Sequence, residues 1–217
     1  MSASCLQMKL AVTSSFSLIL IGVMSSSSPL RSKLVDLHRV DASLLIDARY
    51  AKPDNFVGVA LYPANQLFLL DLVAEDLVAA QAEFTKLGLG LKIWDGYRPL
   101  SVQKRMWAIV HDERFVANPE PGSNHNRGCA VDVTLVGKNG EELRMPTGFD
   151  DFSDKAHRDY QDLPRDVLHN RGVLAEVMQQ HHFVPFATEW WHFDHQRCKE
   201  FPVLDLNPFG ASKSSSR

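Results

Sequence analysis

Ser123-Asn-His125-Asn-Arg-Gly128-Cys-Ala130-Val-Asp132-Val-Thr-Leu-Val136 is the stretch whose reading decides the fold of this chain. From Ala130 to Val136 the residues alternate. Val131, Val133 and Leu135 share one face, and Asp132 and Thr134 share the other, which is the two-residue period of a strand. Gly128 marks a turn just before that strand. A turn there brings His125 and Asp132 towards one point, although seven positions separate them. An imidazole and a carboxylate aimed at one point suit a divalent metal such as zinc. Taken alone, each reads more simply as a loop histidine or a solvated strand carboxylate, since such groups usually lie at the surface.

A second cluster, Glu189-Trp-Trp-His192, changes that balance. Catalytic zinc usually keeps three protein ligands and one open position, and His192 supplies a third ligand. Glu189, three residues earlier, is a carboxylate able to take a proton from a water molecule. Phe186, the two tryptophans and Phe193 bury well and exclude water, so charged groups among them need partners. In an extended chain Glu189 and His192 would point to opposite faces. A bend or helical turn is therefore expected between them. The competing reading is a tryptophan-rich core strand with a buried ion pair.

Ser-x-His-x-x-Gly-x-Ala-x-Asp followed by Glu-x-Trp-His resembles the zinc D-alanyl-D-alanine peptidases, a group that extends to lysostaphin-like endopeptidases and the hedgehog domain. Asp47-Ala-Arg-Tyr50, Trp94-Asp95-Gly96-Tyr97-Arg98-Pro99 and Met145-Pro-Thr-Gly-Phe149-Asp150 narrow the resemblance to the VanX-type D-alanyl-D-alanine dipeptidases, over roughly residues 36–202. The resemblance implies one zinc ion per chain, held by His125, Asp132 and His192. It implies Glu189 as catalytic acid/base and Arg98 as the group that stabilises the developing oxyanion. Asp150 and Ser123 would hold the free amino group of a D-Ala-D-Ala substrate. Asp95 would either support the site from behind or line the substrate pocket. Without the resemblance, Arg98 reads as well as a structural ion pair with Asp95 or Asp47, and Asp150 as a capping or loop acid. Cys129, where the family often has serine, reads as a small packed side chain; it can pair with Cys198 only if the two lie close in space. Related carboxypeptidases, cell-wall endopeptidases and non-catalytic zinc-stabilised binding modules share the metal pattern. Glu189 and Arg98 argue against the last, because a structural metal site needs neither.

The rest of the chain supplies the setting. Its 217 residues suit one compact domain, placed at 29–208, and the formal charge of −3 without a basic stripe argues against nucleic-acid binding. The apolar run 10–23 after Lys9, followed by Ser25–Ser28, has the order of a secretory signal peptide and is short for a membrane span. Residues 1–28 are therefore expected to be a leader and the protein exported or periplasmic, with an uncleaved leader on a cytoplasmic enzyme as the alternative. Residues 209–217 read as a disordered tail. Helices are expected over 70–87, from a cap at Ser101 to Val110, and over 165–181; strands are expected over 91–94 and 183–193. This irregular alternation favours an α+β fold, a small antiparallel sheet flanked by helices with the zinc site on the sheet. The other histidines, His195 among them, form no second metal pattern and read as surface or loop residues.

Overall fold

The computed structural model describes residues 32–210. The leader at 1–28 and the tail at 211–217 lie outside the described residues. In chain order the elements are β1 (Leu34–Asp36), α1 (Leu37–Val40), β2 (Leu45–Ile46), β3 (Phe68–Leu70), α2 (Asp71–Lys86), β4 (Gly90–Asp95), α3 (Leu100–Ile109), β5 (Ala130–Val136), α4 (Arg165–Gln180), β6 (Phe183–Pro185) and β7 (His192–His195). The main sheet has five strands in the order β2-β4-β5-β7-β6, and β1 pairs with β3 as a separate ribbon. The fold is α+β, as expected. Every pair in the main sheet is antiparallel except β2 with β4 at one edge. A parallel pair needs a long crossover, and the segment holding β3 and α2 provides it.

β5 is the centre of the sheet and is buried along its whole length. Val131, Val133 and Leu135 join the main hydrophobic core, which also takes in Val73, Leu77, Ala80 and Phe84 of α2. Their spacing of three and four residues places them on one face of α2, so the helix packs by an apolar stripe. Gly88 ends the segment in the left-handed region, with φ at 75°, where glycine costs least.

Three details differ from the sequence reading. α3 starts at Leu100 after Pro99 rather than at a Ser101 cap. Ser101 lies in the first turn, and Asp205 accepts its backbone N–H at 2.8 Å. Pro99 fits just before the helix because a first-turn N–H has no partner within the helix. The expected strand over 183–193 is a hairpin, β6 and β7 joined by residues 186–191. Phe209, placed with the tail, packs on Tyr62 and Phe68 with ring centroids 5.5 and 5.4 Å away.

Cys129 is also more than a packed side chain. It forms a disulfide with Cys198, their Cα atoms 5.5 Å apart. The bridge ties the residue before β5 to the turn after β7, so it braces the two strands that carry Asp132 and His192. It closes a loop across 69 positions, and such a cross-link restricts the unfolded chain. Replacing both cysteines by serine is expected to lower the unfolding free energy by about 2–4 kcal/mol in oxidising buffer. Denaturant titration reads this, and reductant should bring the wild-type curve towards that of the variant.

Candidate metal centre and active site

The register of three strands builds the site. Asp132 of β5 lies opposite Asp95 of β4 on one side and His192 of β7 on the other. His125 enters from the 3-10 turn His125–Arg127 that precedes β5. Gly128 reverses the chain there, with φ at 71°. A Cβ at Gly128 would meet Leu34 and Leu70 at 3.1 and 3.2 Å, so neither the backbone angle nor the space suits a side chain.

His125, Asp132 and His192 converge. His125 Nε2 lies 3.2 Å from His192 Nδ1 and 3.4 Å from Asp132 Oδ2, and His192 Nδ1 lies 3.0 Å from Asp132 Oδ1. Ligand atoms about 2.05 Å from a tetrahedral zinc stand about 3.3 Å from one another. The two imidazole nitrogens stand at that spacing, each lies near one oxygen of the Asp132 carboxylate, and one ligand atom from each of the three residues can be chosen with all within 4.8 Å of one another. The rings are fixed from behind. His125 Nδ1 donates to the Gly96 carbonyl at 2.7 Å, and His192 Nε2 donates to Asp194 Oδ1 at 3.0 Å. With those nitrogens protonated, the inward nitrogens are free to bind a metal.

The electrostatics point the same way. Burial disfavours a charged His192, but Asp132 and Asp194 outweigh it and push the pKa up to about 10. Burial works against the Asp132 charge too, yet His125 and His192 hold its carboxyl well below the usual range. The cluster attracts a cation, and without a metal His192 takes a proton in its place.

The remaining candidates surround this centre. A cavity of about 200 Å³ is lined by His125, Asp132, His192, Glu189, Arg98, Asp150 and Ser123, together with Tyr50, Asn124 and Asp194. Its volume lies below the roughly 300–1,000 Å³ of pockets for drug-sized ligands. Glu189 Oε2 is 3.9 Å from His192 Nδ1. The bend expected between the two residues is present. Burial raises the Glu189 pKa, partly opposed by His192. Arg98 is 7% exposed. It donates from Nη2 to Asp95 Oδ2 at 2.6 Å and from Nη1 to Gln103 Oε1 at 2.8 Å. Its Nε is buried with no partner. Asp150 adopts a left-handed backbone, φ 57°, and Tyr50 donates its hydroxyl to both carboxylate oxygens at 3.2 and 3.1 Å. Burial, reinforced by the Asp132 charge, raises the Asp150 pKa well above the ordinary range.

Asp95 does not line the cavity. It is fully buried behind Arg98 and accepts the Tyr62 hydroxyl at 2.6 Å. Of the two expected positions it lies behind the cavity wall rather than on it, and the ion pair with Arg98 weighed from sequence is present. Two neighbours went unassigned in the sequence reading. Asp194 stands two residues after His192, so strand periodicity alone puts both on one face. Tyr50 meets Asp150 across 100 positions, a contact with no local signature. His195, read as a surface or loop residue, is 2% exposed and bonds Asp76 Oδ2 at 2.9 Å.

Residues 31–202 match the peptidase family described as D-ala-D-ala dipeptidase. The chain belongs to this family. A D-alanyl-D-alanine dipeptidase of Escherichia coli K12 is 34% identical over 177 residues, covering 80% of this chain and 90% of that protein. Proteins of the same description from Streptomyces coelicolor and Enterococcus faecalis are 34% and 32% identical. They cover 73% and 68% of this chain, and 88% and 83% of their own lengths. The chain is thus a peptidase enzyme, and the cavity is its candidate active site.

The His192 shift has a measurable consequence. Its folded pKa of about 10 stands above the ordinary 6.5, so the stabilisation is complete below pH 6.5 and fades as pH rises through 10. Metal-free protein should lose melting temperature across that window. Zinc-loaded protein should lose less, since a metal would hold His192 without its proton. Thermal unfolding of both forms against pH checks this.

Proposed function

We propose that the chain hydrolyses the dipeptide D-alanyl-D-alanine to two D-alanines with one zinc ion. One observation carries the reading: a small cavity places the His125–Asp132–His192 triad, Glu189, Arg98 and Asp150 on common walls. When bound, zinc supplies Lewis-acid polarisation and makes water a nucleophile near neutral pH. The names of the relatives support the substrate.

The chain's own groups divide the remaining work. Glu189 accepts a proton as water attacks the peptide carbonyl, then returns it to the leaving amine. Burial raises its pKa, and a base poised nearer neutrality returns its proton more readily. Arg98 lines the cavity. Asp95 and Gln103 hold the guanidinium still, so its charge is preorganised for negative charge on the former carbonyl oxygen. Asp150 selects the substrate. Its charge is costly in the cavity, and the ammonium of a free dipeptide offsets that cost whereas the neutral amide of a longer peptide does not. Ser123 lies on the same cavity wall and is assigned to the amino end with Asp150.

We also propose that the enzyme works outside the cytoplasm. The Cys129–Cys198 disulfide supports this, because disulfides persist in oxidising compartments, and the leader-like N-terminus agrees. That location favours recovery of D-alanine from wall turnover over removal of the dipeptide before wall synthesis.

Hydrolysis of D-Ala-D-Ala, N-acetyl-D-Ala-D-Ala and a longer peptide ending in D-Ala-D-Ala tests the reading. Wild type is expected to cleave the free dipeptide alone, and Asp150→Asn to lose most of that preference. Cleavage of the blocked or longer substrates by wild type would move the assignment to a carboxypeptidase. Arg98→Ala is expected to lower kcat about 100- to 1000-fold, and Glu189→Ala to lower it as severely. Undiminished turnover in either variant contradicts the mechanism.

A further inference from the structure

Residues 186–191 carry Glu189 and lead into His192 but contain no regular secondary structure. Their shape therefore needs another source. Several of their carbonyls converge on Arg158. Its backbone N–H donates to Ala187 O at 2.9 Å. Its Nε donates to Phe186 O at 2.8 Å, and its Nη2 to Trp190 O at 2.8 Å and His192 O at 3.1 Å. The guanidinium lies over the Phe193 ring, 4.4 Å from its centroid. These acceptors flank Glu189 on both sides and include the backbone of His192 itself.

Arg158 is in turn held in place. Arg171 of α4 donates from Nη1 to His157 O at 3.1 Å and Tyr160 O at 2.9 Å, gripping the turn that bears Arg158. The arrangement carries a cost. Arg158 Nη1 is buried without a partner, and burial together with the nearby Arg171 charge lowers the Arg158 pKa to about 9. A buried charge held by carbonyls rather than a carboxylate is expensive. Only a planar fork reaches Phe186 O and Trp190 O from one side chain; the point charge of lysine does not.

We propose that Arg158 is a positioning residue that holds Glu189 and His192 in register, setting both metal affinity and turnover. The turnover part rests on the dipeptidase reading, whereas the metal part does not. The test compares wild type, Arg158→Lys and Arg158→Gln, with Arg144→Gln as an exposed control. Zinc affinity is read by competition with a chromophoric chelator, ligand geometry by the visible spectrum of the cobalt-substituted protein, and turnover as separate kcat and KM. Loss of a group that orients a metal ligand typically weakens binding about 10- to 100-fold. Arg158→Lys is expected to fall in that range, with an altered cobalt spectrum, a kcat reduced at least about tenfold, and little change in KM. Arg158→Gln is read identically and guards against a lysine variant that fails to fold. If a folded variant keeps wild-type zinc affinity, cobalt spectrum and kcat while its melting temperature falls, Arg158 is a stability brace and the proposal is overturned. If wild type does not cleave D-Ala-D-Ala, the dipeptidase reading fails, and the zinc and cobalt measurements still decide the role of Arg158.

Discussion

The antiparallel register of β4, β5 and β7 is the constraint on which the site depends. Asp132 sits opposite Asp95 on one side and His192 on the other. Each strand thus brings one polar residue to the same level of the sheet. A one-residue slip would carry these side chains to the opposite face. The alternate positions of β5 belong to the hydrophobic core, so the packing that stabilises the sheet also forbids that slip. The disulfide adds a covalent tie close to the same strands. Stability and function share one set of contacts.

The cluster is electrostatically incomplete. Asp132, Asp150, Asp194 and Glu189 crowd around two imidazoles and Arg98. Of the carboxylates, Glu189 and Asp150 are pushed towards their neutral forms by burial, while Asp132 is held charged by the imidazoles. Such opposed environments for neighbouring acids mark a site in which they have different tasks. In the proposed function, a metal among His125, Asp132 and His192 and an ammonium beside Asp150 would together complete the charge balance. Arg98 already has its counterion in Asp95, and its Nε has no partner.

The legible parts of the sequence were those with local signatures. The alternation from Ala130 to Val136 gave β5 with the observed bounds, because its two faces differ in chemistry. The 3.6-residue spacing of Val73, Leu77 and Phe84 exposed α2. Two members of the candidate metal triad were readable locally because a turn and a strand place His125 and Asp132 within ten residues, and His192 stood out beside Glu189 and two tryptophans. What stayed hidden depends on distant contacts. The Cys129–Cys198 bridge and the Tyr50–Asp150 bond each join residues far apart in sequence. The 183–193 segment read as a strand with a bend only between Glu189 and His192, because its aromatics suit a strand. The break at Phe186 becomes visible only when Arg158 collects the carbonyls on either side of Glu189.

The β5–β7 register and the turn at Gly128 together bring His125, Asp132 and His192 into a candidate metal site. Zinc K-edge absorption spectroscopy on protein loaded with one equivalent of zinc tests it most directly. One tightly held zinc with only nitrogen and oxygen neighbours at about 2.0–2.2 Å, lost in Asp132→Ala, is the expected result. A sulfur neighbour at about 2.3 Å, or tight zinc binding retained in Asp132→Ala, would contradict it.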